Sequence, residues 1–353
     1  MLECVQGVSM SDTSAAAAEN KEWAEEMAPK GAIRRYDRTP VVEAARELAV
    51  PDNLGNALLI GRQWLMIFAA AALAVWSEHW AIYALAMIFI GTRMVVLGVL
   101  IHEAAHNHIF SKPIVNDVLS ELFIGFPAGI SIHLYRATHF WHHRALNTME
   151  DPDYAFQRSD PDQHFPKTRA ALVWLIIRSA LFVNFPQMAR FAGKWWMPAR
   201  FLFTPLSRSP FPLWARILYV VWATTVLTVL IATGYLLDAI ILFVIPSLFW
   251  TNCVSRLRAA AEHGALPLKT ELTSTRTVVP TLIDRWFVAP VGVCYHLEHH
   301  LFPYVPGRNL HKLHEILMRD PAYGREAHVT YSYANLIKEL IKPPPREAAA
   351  AAA

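Results

Sequence analysis

The chain has 353 residues, of which 54% are hydrophobic and only 17% charged, with a formal net charge of +3. That balance is too apolar for an ordinary soluble domain and fits a polytopic membrane protein, while the small positive excess leaves no footprint for nucleic acid and is better read as membrane topology. The three cysteines, Cys4, Cys253 and Cys294, lie far apart with no CxxC pair, which argues against a disulfide framework, a zinc ribbon or a built-in iron–sulfur cluster.

Residues 1–62 are polar, open on an Ala/Ser/Glu-rich tract and hold no apolar run long enough for a signal peptide. They read as a cytosolic arm, disordered at its start, and Arg34, Arg35, Arg38, Arg46 and Arg62 keep this end inside. Trp64 to Trp76 and Ala81 to Ile101 then form a helical hairpin across the bilayer, interrupted at Ser77 to His79. Nine residues along the second helix, about 13 Å, separate Arg93 from His102, which places an arginine within the membrane. Residues 107–170 are more polar, and Arg136, Arg144, Arg158, Lys167 and Arg169 mark them as cytosolic. Ala171 to Phe185, short and carrying Arg178, is expected in the interface.

A second hairpin follows, Leu213 to Thr233 and Leu236 to Cys253, with a Gly234 turn free of basic residues, a break expected at Pro246, and Arg256 and Arg258 at its cytosolic exit. Residues 264–347 are amphipathic and cytosolic, becoming Pro-rich at Pro343 to Pro345 before a terminal alanine run. The pattern predicts an all-α integral membrane fold: four transmembrane helices in two hairpins, with a cytosolic helical cap. Its parts are an arm over 1–62, one membrane domain over 63–342 and a tail over 343–353. Both termini lie on the cytosolic side.

Histidine spacing carries the chemistry. His139, His142 and His143 recur in pattern as His296, His299 and His300, and positions i, i+3 and i+4 share one helical face. His102 and His106 stand one turn apart, and His263 follows the fourth span at the same remove from the membrane as His102. Imidazole is the commonest neutral metal ligand. Eight box histidines are too many for one tetrahedral zinc and favour a dinuclear site with open positions. Glu103, Glu262 and Glu298 adjoin the boxes and could orient the rings by hydrogen bonding. His108, His133, His164, His311 and His314 stand outside the boxes and read as non-ligands.

With HEAAH at 102–106, HFWHH at 139–143, RAAAEHG at 258–264 and YHLEHHLFPYVP at 295–306, the chain resembles the membrane fatty acid desaturase superfamily over roughly residues 60–320. The resemblance implies a di-iron centre at the cytosolic membrane boundary and O2-dependent attack on an unactivated C–H bond. By position it implies nine ligands: His102, His106, His139, His142, His143, His263, His296, His299 and His300. Where some relatives carry an asparagine four residues before the isolated histidine, this chain has Ala259.

The superfamily's outcomes include desaturation of a fatty acid or acyl chain, hydroxylation, and decarboxylation to a terminal alkene. Desaturation is the reading carried forward. A substrate with a polar head and a long alkyl tail suits histidines at a bilayer boundary, with Arg136, Arg144 and Arg258 as candidate head-group partners. The chain shows no flavin, nicotinamide or heme fingerprint, so electrons are expected from a separate ferredoxin or cytochrome b5 with its reductase. HEAAH also matches the HExxH zinc protease motif with Glu103 as general base, a reading that leaves both HxxHH boxes idle.

Overall fold

In the computed structural model, the described residues are 34–181, 183, 204, 205, 207 and 209–341, with the side chains of residues 250–252 excepted. The Ala/Ser/Glu-rich opening, Cys4, the end of the expected interface segment and the 343–353 tail lie outside them. After the short α1 (Val42–Glu47), α2 (Asn53–Ser77) starts where the Asp52 carboxylate accepts the Gly55 N–H at 2.8 Å, an N-cap. The expected arm–membrane boundary after Arg62 therefore falls inside a helix, because Leu54, Leu58 and Ile60 already continue its apolar spacing. α2 ends at Glu78 in the left-handed conformation, and α3 (Trp80–Ala105) begins after His79, whose ring accepts the Ala81 N–H.

Four helices among the described residues are long and apolar enough to cross a membrane: α2, α3, α8 (Leu213–Thr233) and α9 (Leu236–His263). Of their most apolar windows, α3 has 67% buried against 22%, 6% and 20% for the others, so α3 is the central post of the bundle. Ile60, Ile67 and Ala74 of α2 close on Ile90, Leu97 and Ile101 of α3. Lipid is as apolar as leucine, so this contact rests on close packing, and small residues such as Ala74 and Ala86 permit it.

Between the two long pairs come α4 (Pro113–Ser120), α5 (Ile132–Ala145), α6 (Pro152–Ser159) and α7 (Arg169–Ala180). α7 buries Leu172 and Leu175 and exposes Val173, Trp174, Ile176 and Ile177, the two-faced pattern of a helix in a membrane interface. α8 closes at Gly234, whose φ of +79° is a left-handed cap that a Cβ would strain. Two expectations for α9 are corrected. It runs past Cys253 to His263, and Pro246 does not break it. A wider π turn at Ile240–Val244 lies just ahead of Pro246, where the missing N–H and the bulky ring would otherwise disrupt the α-helical ladder.

The remaining chain folds over the end of the bundle as α10 (Leu282–Phe287), α11 (His296–Leu301), α12 (Leu310–Leu317), α13 (Pro321–Glu326) and α14 (Tyr333–Ile341). The all-α expectation needs one amendment: β1 (Thr277–Val279) pairs in parallel with β2 (Val329–Tyr331), with Val278 opposite Thr330. Leu297, Leu301, Leu310, Leu313, Leu336 and Leu340 form the core of this layer, each worth roughly 1.5–3 kcal/mol when fully buried. Arg38, read from sequence as a topology anchor, bonds the Leu301 carbonyl and pairs with Glu271 at 2.6 Å, tying the stretch just ahead of α1 to this layer.

Candidate metal centre

The buried end of α3 presents His102 and, at its C-cap, His106; α5 presents His139, His142 and His143; α9 ends on His263; α11 carries His296, His299 and His300. Folding brings all nine together in two groups. His102, His106, His139, His143 and His299 form one, and His142, His263, His296 and His300 form the other, with donor atoms inside each group within 4.8 Å of one another. Helix geometry explains the division within each box. Residues i and i+4 differ by about 40° around the axis and i+3 lies about 60° to the other side. His139 and His143 therefore face one group and His142 the other; His296 and His300 likewise part from His299.

The donor atoms fit cations better than they fit one another. Nε2 of His139 lies 2.9 Å from Nε2 of His106 and 3.0 Å from that of His143, which is itself 3.0 Å from Nε2 of His299. In the second group, Nε2 of His296 lies 2.9 Å from that of His263 and 3.0 Å from that of His300. A neutral ring nitrogen offers a single lone pair or a single proton in one direction, so such convergence cannot satisfy every ring by hydrogen bonding. Metal–nitrogen bonds of roughly 2.1 Å put adjacent octahedral ligands about 3.0 Å apart, the spacing found here. His102 Nε2 completes the pattern, being buried with no hydrogen-bond partner among the described residues.

Protonation agrees. Burial, with repulsion from neighbouring rings, holds His139, His296, His299 and His300 well below the ordinary imidazole value and His143 down to about 2. These rings stay neutral and keep a lone pair for a cation. For His142 burial acts downward, but Asp151, hydrogen-bonded to Nδ1, together with Asp153 and Glu262, raises the ring above its usual value.

The carboxylates divide by role. Glu103 Oε1 lies 3.3 Å from His102 Nδ1, while Oε2 accepts the Gly307 N–H at 2.7 Å and lies 3.4 Å from His108 Nδ1. Both oxygens thus face ring-holding or backbone partners, which is unlike the water-facing base of a zinc protease. Gly307 is required there: a Cβ would lie 2.6 Å from the Val291 carbonyl and 2.9 Å from Glu103 Oε1. Glu262 pairs with Arg258 at 2.7 Å and comes within 4.0 Å of His296. The bonds of Glu298 run to His314, Tyr323 and Thr277, joining α11 to the surrounding layer.

Sequence reasoning missed Asp151. Its Oδ2 meets His142 Nδ1 at 2.9 Å, and its Oδ1 accepts the Asp153 and Tyr154 N–H groups to cap α6. The signal was the Asp-Pro pair after the second box, a helix-start signature. Outside the two groups, His133 is held by Glu121 and His164 by the Arg158 carbonyl, and His311 is partly exposed. Two head-group candidates are committed elsewhere. Arg136 binds Asp117 and the Ala104 and Ala105 carbonyls, which end α3 beside the first box, and Arg258 is taken by Glu262.

Residues 78–332 match the family model described as fatty acid desaturase. The chain is 29% identical over 310 residues to the dihydrorhizobitoxine desaturase of Bradyrhizobium elkanii, covering 83% of this chain and 85% of that one. It is 24% identical to human fatty acid desaturase 3 and to the chloroplastic omega-3 fatty acid desaturase of Brassica napus. Each of those matches covers 70% of this chain, but 56% of the human protein and 64% of the plant one.

Proposed function

The chain belongs to the fatty acid desaturase family and is an oxidoreductase of the membrane; from that premise we propose that it is a di-iron enzyme that desaturates a fatty acid or fatty acyl chain with O2. The observation that carries this reading is the pair of histidine groups, five and four, whose ring nitrogens converge within 4.8 Å. His102, His106, His139, His143 and His299 hold one iron in this proposal, and His142, His263, His296 and His300 the other. An all-nitrogen neutral set leaves each dication its full charge. When bound, the pair of irons supplies the O2-dependent removal of hydrogen from a methylene.

The protein's own part is to hold and orient. Glu103 and Asp151 fix the Nδ1 sides of His102 and His142 so that Nε2 of each faces its ion. The layer packed on the boxes leaves His102, His139, His142, His296 and His299 buried and the other four rings partly so. The desaturase names of relatives from a bacterium, an animal and a plant support desaturation as the outcome. The proposed topology has α2–α3 and α8–α9 as two membrane hairpins, with both termini and the histidine-bearing cap on the cytosolic side. Domain limits are proposed as an arm ahead of α2, the membrane unit, and the tail beyond residue 342. Electrons come from a separate ferredoxin or cytochrome b5 with its reductase, alongside the bilayer itself as partner.

The test is expression with such a donor, feeding of fatty acids of several lengths, and mass spectrometry of lipids and headspace. Internal unsaturation is expected. A hydroxylated product or a volatile alkene one carbon shorter would replace the outcome while keeping the substrate, and unchanged acyl profiles at every length would refute the substrate class.

A further inference from the structure

Away from the histidines, a cavity of about 540 Å³ opens between α2, α3 and α10. Four guanidinium groups line it, those of Arg62, Arg93, Arg285 and Arg308, with no carboxylate among the lining residues. Arg308 is paired with Asp52 at 2.6 Å. Arg62, Arg93 and Arg285 form no ion pair among the described residues.

Arg93 is the decisive member. It is 3% exposed, halfway along a membrane helix, and its bonds go only to neutral groups: the Thr92 hydroxyl at 3.0 Å and the Trp286 carbonyl at 2.8 Å, with the Phe89 and Trp286 rings beside it. A buried cation without a counter-ion costs several kcal/mol, and intramembrane arginines are retained where they meet a ligand, a partner or a pathway. Counting turns from the Glu78 and His79 connection puts Arg62, fifteen residues before Ser77, nearly level with Arg93, thirteen after Trp80. Arg285 closes the same space from α10. Leu58 lines the cavity at 65% exposure, and on the same two helices Leu54 of α2 and Leu282 and Ile283 of α10 are more exposed still, an apolar surface suited to an acyl chain.

We propose that this cavity binds the anionic head group, carboxylate or phosphate, of an alkyl-chain amphiphile, with Arg93 as the buried anchor and Arg62 and Arg285 closing on it. Guanidinium forks match both oxyanions. The site is separate from the ligand rings yet close behind them, since Val291 lines the cavity and packs against Gly307, whose N–H holds Glu103. Its assignment to substrate rests on the fatty acid reading above, whereas anion binding itself does not.

The experiment measures binding of dodecanoate, dodecan-1-ol and dioleoyl phosphatidylglycerol to the iron-loaded protein in neutral detergent, by thermophoresis, for wild type, Arg62→Gln and Arg285→Gln. Both side chains are exposed at the cavity mouth, so the variants are expected to fold, and iron content serves as the control. At least tenfold weaker dodecanoate binding in either variant, with the alcohol little changed, is the expected result. The same loss for phosphatidylglycerol alone would keep the anion site and assign it to a membrane lipid. Unchanged affinities for both anions, or no measurable binding of either to wild type, overturn it. If the variants lose dodecanoate binding while wild type oxidises no fatty acid, the pocket stands and the substrate reading fails; full oxidation without arginine-dependent binding means the reverse.

Discussion

Removing the Asp151 carboxylate is expected to loosen metal and helix together, because one buried group serves both. Asp151 is fully buried, with Oδ2 on His142 Nδ1 and the Asn147 N–H and Oδ1 on the Asp153 and Tyr154 N–H groups. In Asp151→Ala the α6 cap is lost, about 1 kcal/mol, and the His142 Nδ1–H is left buried without an acceptor, roughly 1–3 kcal/mol more. The ring is then free to rotate or change tautomer, and loss of such a partner typically lowers metal affinity about 10–100-fold. Asp151→Asn retains an oxygen for the cap but removes the charge, so it is expected to recover most of the thermal stability and little of the metal affinity. The assay pairs iron analysis after dialysis against a graded chelator with thermal unfolding of the same samples. Asp151→Ala that keeps wild-type iron at every chelator concentration and melts with wild type would refute the reasoning.

The purified protein is expected to hold two irons and little zinc; one zinc per chain with negligible iron, from iron-supplied cells, would sink the assignment. His142→Ala or His299→Ala should abolish most activity, whereas His164→Ala, whose ring bonds the Arg158 carbonyl away from both groups, should not. Gly307→Ala places a methyl 2.6 Å from the Val291 carbonyl and 2.9 Å from Glu103 Oε1, and is expected to cost 1–3 kcal/mol by overpacking together with part of the iron; a wild-type melting curve and iron load would contradict this. Acid should unload and destabilise the protein. The folded rings of His139, His296, His299 and His300 lie well below the free value of 6.5, so the unfolded chain binds more protons once pH drops through that value. Stability is full above about 6.5 and falls below it, by about 1.4 kcal/mol per pH unit for even one such ring; chelator-free iron retention and melting temperature unchanged from pH 7 to 5 would count against it. Reporter fusions near residue 150 should report the cytosolic side, and an external signal there would reverse the proposed topology.

The histidine boxes were legible in the sequence because their spacing is a local property: on one helix i and i+4 share a face and i+3 lies beside it whatever the helix packs against, whereas the isolated His263 was singled out only by its place after the fourth span. The four apolar helices were legible for the same reason, since length and hydropathy decide whether a segment can cross a membrane. Boundaries were less so: α2 begins at Asn53 and α9 runs to His263 because capping and packing at the bundle's end, not hydropathy, set where each helix stops. Helix geometry divides each box, but which side of a box joins which group was decided only by the tertiary structure: His299 joins His102 while its neighbours in the same box face His263, and that depends on how α11 is rotated against α3, α5 and α9. The same holds for the supports. Asp151 and Gly307 are near and far in sequence from the rings they steady, and Arg136, a head-group candidate by position, is used up on the α3 carbonyls. Charge near a motif is a one-dimensional fact; whether it is spent on a carbonyl, a carboxylate or, as with Arg93, left facing a cavity is settled by what the fold packs beside it.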